Sequence, residues 1–204
     1  MSHDTTTHAP VDTVSTVSRI ADPAPLGLAA FALTTFMLSM VNSGILPATV
    51  EPVVFGLALA YGGISQFAAG MWEFAKGNTF GATAFTSYGA FWISFWWLTA
   101  HTPQLDAAGA DAAKGVGTYL LAWAIFTAYM TVAATKVSGA VLAVFGLLTL
   151  TFLVLAIGEY TTSETIQHVG GYVGLLTALA AWYASFGGVT AFSHGKALVP
   201  MAPR

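Results

Sequence analysis

The sequence predicts an all-α membrane protein, a bundle of six transmembrane helices with cytoplasmic N- and C-termini. Three observations predict it. Only 7% of the 204 residues are charged while 56% are hydrophobic, against about 25% charged in an ordinary soluble domain. Six apolar stretches reach the roughly 20 residues that a helix needs to cross the hydrocarbon core. The basic residues fall on one side of the resulting topology. Arg19, Lys76, Lys136, Lys196 and Arg204 stand against Lys114 alone, a five-to-one bias that places both ends inside.

The elements follow in order. Residues 1–21 are polar and rich in Ser and Thr, without the basic start and apolar run of a secretory signal, and read as a disordered cytoplasmic tail. The spans run over about Leu26–Leu46, Val50–Met71, Thr79–Thr99, Gly115–Ala134, Gly139–Ile157 and Val169–Phe192, within a transmembrane domain of residues 22–193. Residues 194–204 read as a second cytoplasmic tail. The nine charged residues between Leu26 and Phe192 each fall in or beside a proposed loop, and none is expected in mid-span. The longest connection, about Ala100 to Lys114, carries no large domain. No internal repeat is evident.

Several chemistries are excluded by residue type. There are no cysteines, so disulfides and thiolate sites are absent. The five histidines, His3, His8, His101, His168 and His194, lie in tails or at helix ends and make no intramembrane pair for haem or metal. No lysine lies in mid-span to form a Schiff base. No triad, acid pair or phosphate loop suggests hydrolysis or ATP use. The net charge of −3 gives no reason to expect nucleic acid. No cofactor is expected.

What remains is a set of neutral stripes. Thr35, Ser39 and Asn42 share a face of the first helix. Ala58, Gly62, Gln66 and Gly70 recur at four-residue steps on the second, and Thr83, Ser87, Ala90 and Ser94 on the third. Small and weakly polar residues are also the usual material of helix–helix contacts in membranes. Gln66 stands apart, because its amide offers up to four hydrogen-bonding positions; it pairs with another helix or lines a wet cavity. Trp72, Trp96 and Trp97 suit an interfacial belt, while Phe31, Tyr88 and Phe91 lie deeper. Asp22-Pro23 suits a helix start, with Asp22 as N-cap and Pro23 at the first helical position.

Three blocks carry a family resemblance. Pro23-Ala24-Pro25-Leu26-Gly27-Leu28 resembles the Asn-Pro-Ala-Pro-Leu-Gly-Leu signature of the acetate uptake transporter family, the YaaH-type succinate–acetate permeases. Tyr61-Gly62-Gly63-Ile64 with Gln66, Gly70 and Glu73 is similar, as is Lys76 to Gly81 continuing through Thr83–Gly89 to Phe91-Trp92. The resemblance implies six helices and uptake of acetate, with succinate or other short carboxylates as further candidates. It also implies a homo-hexamer in the plasma membrane, with a channel-like or proton-linked pathway in each protomer. It implies a constriction at Phe31, Tyr88 and Leu148. Pathway positions are implied at Thr34, Thr35, Asn42, Gln66, Thr83 and Ser87, and an influence on solute size at Ala181. The chain departs from the signature at Asp22, where a carboxylate would repel an anion to which Asn could donate. On residues alone, a neutral-solute channel of the aquaporin type and a non-transporting membrane sensor or structural protein stay as alternatives. The first lacks a second Asn-Pro-Ala half-helix.

Overall fold

The computed structural model describes residues 20–202; the expected N-terminal tail up to residue 19 lies outside them, as do residues 203 and 204. Helix α1 (Ala24–Asn42) starts one residue later than the Asp-Pro pair suggests. The Asp22 carboxylate nevertheless does the capping, accepting the Ala24 N–H at 3.1 Å. The second span is a single rod in three pieces, α2 (Pro52–Leu59), a π-helical turn (Ala60–Ser65) and α3 (Gln66–Lys76). A short 3₁₀ turn, Ala48–Val50, leads into it. Gly77 ends the rod in the left-handed conformation at φ 81°, which favours glycine.

Helix α4 (Thr79–Ala100) follows at once, capped by Asn78, whose side chain accepts the Gly81 N–H. The stretch read as the longest loop holds a short helix α5 (Pro103–Ala107) and the first turns of α6 (Ala110–Ala134). Helices α7 (Gly139–Thr161) and α8 (Glu164–His194) are capped by Ser138 and Ser163 in the same way. The segment beyond His194, expected to be a free tail, folds back instead. The carbonyls of Ala202 and Met201 accept the Gly139 and Ala140 N–H groups at the start of α7, and the Tyr183 hydroxyl donates to Pro200.

Among the described residues, five helices are long and apolar enough to cross a membrane, namely Ala24–Asn42, Pro52–Lys76, Ala110–Ala134, Gly139–Thr161 and Glu164–His194. The apolar stretches of the sequence number six. The remaining candidate, α4, has 22 residues and no charge, but its Thr, Ser, Gly and aromatic residues lower its hydropathy. One charge also departs from the expected pattern. Glu73, assigned to a loop, sits in the last turn of α3 and is fully buried.

The helices form a closed circuit. α4 packs on α3, the second span on α1, α1 on α8, α8 on α7 and α7 on α6, which returns to α4. Glycine sets the tightest crossings. A β-carbon at Gly171 would overlap the backbone of Asn42 and Ser43, and one at Gly174 would overlap Ser39 Oγ. One at Gly62 would lie 2.7 Å from Thr34 Oγ1, and one at Gly89 2.6 Å from the Phe67 nitrogen. Hydroxyl pairs span the adjoining seams, with Thr151 to Thr177 and Thr131 to Thr149 each at 3.0 Å. The α4–α6 seam is filled by rings, Tyr88 and Phe91 packing on Tyr119, Trp123 and Phe126.

Because main chain faces Gly171, a side chain there forces α1 and α8 apart. Gly171→Val is expected to lower stability by at least the ~1–3 kcal/mol of an overpacked core. At Gly56, by contrast, an added β-carbon would meet nothing within 4 Å. Gly56→Ala is therefore expected to be neutral or to stabilise by up to ~1 kcal/mol through helix propensity. Thermal unfolding of the two variants in detergent, beside the parent chain, checks both.

Candidate functional site

Two cavities lie end to end inside the circuit of helices. The larger, about 340 Å³, is walled by Phe31, Thr35, Ser39 and Asn42 of α1, Phe91, Trp92 and Phe95 of α4, Tyr119 of α6, and Leu148, Thr151 and Phe152 of α7. Glu51, Glu159 and Gln167 line its far end. The smaller, about 10 Å³, has room for roughly one water. Its walls are Leu28, Phe31, Gln66, Ala84, Phe85, Tyr88, Val144, Phe145 and Leu148. Phe31 and Leu148 belong to both walls and therefore form the partition between them. The Tyr88 ring completes it, 5.8 Å from the Phe31 ring and 5.9 Å from that of Phe145. All four side chains are buried, and the Tyr88 hydroxyl is held by Thr127 at 2.9 Å.

The polar atoms around this partition are arranged unlike the rest of the bundle. Most buried threonines, among them Thr34, Thr127, Thr151 and Thr177, donate to the carbonyl four residues earlier. Thr35 does not. Its Oγ1 has no partner within the described residues although it is buried, and neither has the Trp92 indole N–H. Both residues line the large cavity, each one helical turn beyond a partition residue, Thr35 after Phe31 and Trp92 after Tyr88. On the other side Gln66 lines the small cavity with Oε1 likewise unpartnered. At the far mouth the Gln167 amide donates to Glu159 at 3.2 Å. Burial holds the Glu51 carboxyl above the usual carboxylate range.

The structure thus brings together Phe31, Thr35, Asn42, Gln66, Tyr88 and Leu148 from the residues singled out in the sequence. It does not bring in the others. Thr34 donates to Ala30 and fills the notch left by Gly62. Thr83 and Ser87 are half-buried and line neither cavity. Ala181 is fully buried in the same apolar cluster as Phe31 and Leu148 but reaches neither cavity. Within the signature, Gly27 admits the Phe85 ring and Leu28 lines the small cavity. Pro25 offers its carbonyl to the Ser185 hydroxyl at 2.7 Å. Pro23 and Ala24 shape the helix start, and Leu26 is exposed. Asp22 pairs with Lys76 at 2.8 Å, tying the start of α1 to the end of α3.

Two residues of the interior are named in the sequence only within the family blocks, with no place in the pathway. Trp92 is legible there only as one more aromatic of a family block. Glu73 has both carboxyl oxygens buried without a geometric partner, beneath the first turn of α4, where Gly81 leaves it space. Its position seven residues from Gln66, on the same face of the second span, is the available signal.

The model of the GPR1/FUN34/yaaH family matches residues 5–202. The chain belongs to that family. Among its relatives, Ammonia transport outward protein 2 of Saccharomyces cerevisiae is 40% identical over 188 residues, covering 90% of this chain and 66% of its own length. Acetate permease A of Emericella nidulans is 42% identical over 200 residues, covering 90% and 66%. The succinate-acetate/proton symporter SatP of Escherichia coli is 37% identical over 184 residues, covering 90% and 96%. The chain therefore spans about two thirds of these fungal relatives and nearly all of the bacterial one. A solved structure described as the bacterial acetate channel SatP superposes with a TM-score of 0.84 at 37% identity, covering 90% of this chain and all of that one. The resemblance carried by the three sequence blocks and the family found by comparison are the same.

The acids at the two ends of the bundle can be tested by substitution. Because burial raises the Glu51 pKa in the fold above its unfolded value, the native state favours the protonated form. Stability is then greatest below the unfolded value and falls as pH rises through the raised one. Glu51→Gln is expected to remove that fall, and melting temperature against pH for both proteins checks it. Asp22→Asn keeps an acceptor for Ala24 and loses only a half-exposed ion pair, so it is expected to cost less than ~1 kcal/mol. Asp22→Ala loses the cap as well, and an additional ~1 kcal/mol in denaturant titrations is expected.

Proposed function

We propose that this protein carries acetate and other short carboxylates, with succinate a candidate by family, across the plasma membrane through a pathway inside each protomer. The observation that carries the proposal is the pair of cavities meeting at the apolar partition of Phe31, Tyr88 and Leu148, with neutral hydrogen-bonding groups on either side. Two of the family relatives are named for acetate or succinate and acetate, and the solved structure that the chain superposes on is described as an acetate channel. Large apolar walls with a few placed polar groups suit a small organic solute.

Six spans and cytoplasmic termini belong to the same proposal. α4 fills a place in the closed circuit between α3 and α6, and 22 residues at 1.5 Å each reach about 33 Å, enough for a ~30 Å core. The basic bias favours the stated orientation. Assembly as a homo-hexamer is supported by the strip of Thr83, Ser87 and Ala90, turned away from both cavities; small polar strips in lipid are material for close helix contacts.

The test is uptake of labelled acetate into proteoliposomes. Phe31→Ala removes a ring from the partition and is expected to raise flux several-fold and to admit larger carboxylates. Gln66→Ala is expected to lower it. Flux no greater than in protein-free vesicles for all three chains would overturn the proposal. Labelled methylammonium, run in parallel, decides whether the solute is an amine, as the name of one relative would have it.

A further inference from the structure

We propose that Phe85 is an inner gate, a second barrier in series with the partition, whose ring must swing off Gly27 before a solute can occupy and leave the small cavity. The inference rests on the transport reading above and adds the residue that limits passage once the partition is crossed.

The two cavities differ in what they can hold. The larger, about 340 Å³, has room for a short carboxylate together with water. The smaller, about 10 Å³, has room for roughly one water. A solute with the bulk of acetate that passes Phe31, Tyr88 and Leu148 therefore has nowhere to stand until a wall moves. The walls beyond the partition are Leu28 on α1, Gln66 on α3, Ala84 and Phe85 on α4, and Val144 and Phe145 on α7.

Of these, Phe85 is the wall built to move. Ala84 is too small to make room by turning, Val144 is β-branched and stiff, and Leu28 frees less volume than a ring. Phe145 is braced on two sides, its ring 5.1 Å from that of Phe80 and 5.9 Å from that of Tyr88. Phe85 makes no such ring contact among the described residues. Its ring rests on Gly27 instead. A β-carbon there would lie 2.6, 2.7 and 2.8 Å from ring atoms Cδ1, Cγ and Cδ2. Such even distances put the glycine over the face of the ring, with no methyl to catch it as it turns.

The backbone that carries the ring is fixed. α3 approaches it so closely that a β-carbon at Gly70 would lie 2.4 Å from the Thr86 nitrogen and 3.0 Å from the Phe85 carbonyl carbon. Opening is therefore a rotation of one side chain between rotamers and leaves the helices in place. Swung aside, the ring adds its own volume to the small cavity. It also gives the solute access to Gln66, whose Oε1 is buried there without a partner.

The chain has no cysteine, so a single reporter thiol can be placed in it. Val144→Cys sets a thiol in the wall of the small cavity. Its reaction with silver ion in detergent is expected to quicken by at least about tenfold when Phe85→Ala is added. A Thr99→Cys thiol, on the exposed rim of the large cavity, is expected to react at a rate that the same addition changes by less than about two-fold. In proteoliposomes Phe85→Ala alone is expected to raise uptake of labelled acetate by less than about two-fold, because the partition still stands in series. Joined to Phe31→Ala, its gain is expected to exceed the product of the two single gains. Phe85→Leu, a milder cut, is expected to move both readouts in the same direction. Gly27→Ala pushes the ring into the cavity and is expected to slow uptake several-fold, and Phe85→Ala in the same chain to restore it. A Val144→Cys thiol that reacts equally fast with and without the ring overturns the gate and leaves the transport reading standing. So does a double variant no faster than the product, or a Gly27→Ala loss that Phe85→Ala does not relieve. Uptake no greater than in protein-free vesicles for every chain overturns both.

Discussion

The structure depends first on how closely α1 is allowed to approach α8 and the second span. α1 carries Phe31 and Thr35, and both reach the interior only if the helix lies tight against its neighbours. Gly171 and Gly174 on one side, and Gly62 on the other, remove the side chains that would hold it off. Helices in lipid gain little from burying apolar surface against one another, so close packing and interhelical hydrogen bonds must hold the bundle. The glycines supply the first and the threonine pairs the second. The large apolar side chains are then free to point inward, where they form the partition.

That division of labour explains why the interior is neutral. A charged group at the partition would need a partner, and a partner would fill the space that the cavities occupy. The charges are instead pushed to the ends, as with Asp22 and Lys76, or set at the mouth, as with Glu51 and Glu159. Among the described residues Glu73 is the exception, a fully buried acid at the end of α3.

Apolar length made most of the spans legible, because crossing a bilayer leaves a signal that packing cannot override. The signal is weakest at α4, whose place among aromatic neighbours calls for Thr, Ser, Gly and Trp rather than Leu and Val. Helical periodicity grouped Thr35 with Asn42 correctly, since both line the large cavity. It could not say which of two adjacent threonines would look inward. Thr34 satisfies its hydroxyl on its own helix, whereas Thr35 does not. Thr83 and Ser87 share a face as expected, but the face is an outer one. Spacing defines faces, and only tertiary packing chooses among them. Trp92 escaped because an indole in a membrane helix looks like belt or filler until its N–H is seen without a partner.

The π-helical turn at Ala60–Ser65 gives the second span a property of its own. It holds one more residue than an α-helical turn would, and the wider turn absorbs that surplus, so that Gln66, Gly70 and Glu73 keep the aim that a rod one residue shorter would give them. Deleting one residue there would restore a plain α-helix and leave the half beyond it facing as before. Tightening the same residues into α-helical winding without a deletion would instead swing that half by about 100°, turning Gln66 away from the small cavity and bringing bulk against α4 where Gly70 now lies. For this rod, the width of one turn sets the aim of every side chain from there to Glu73.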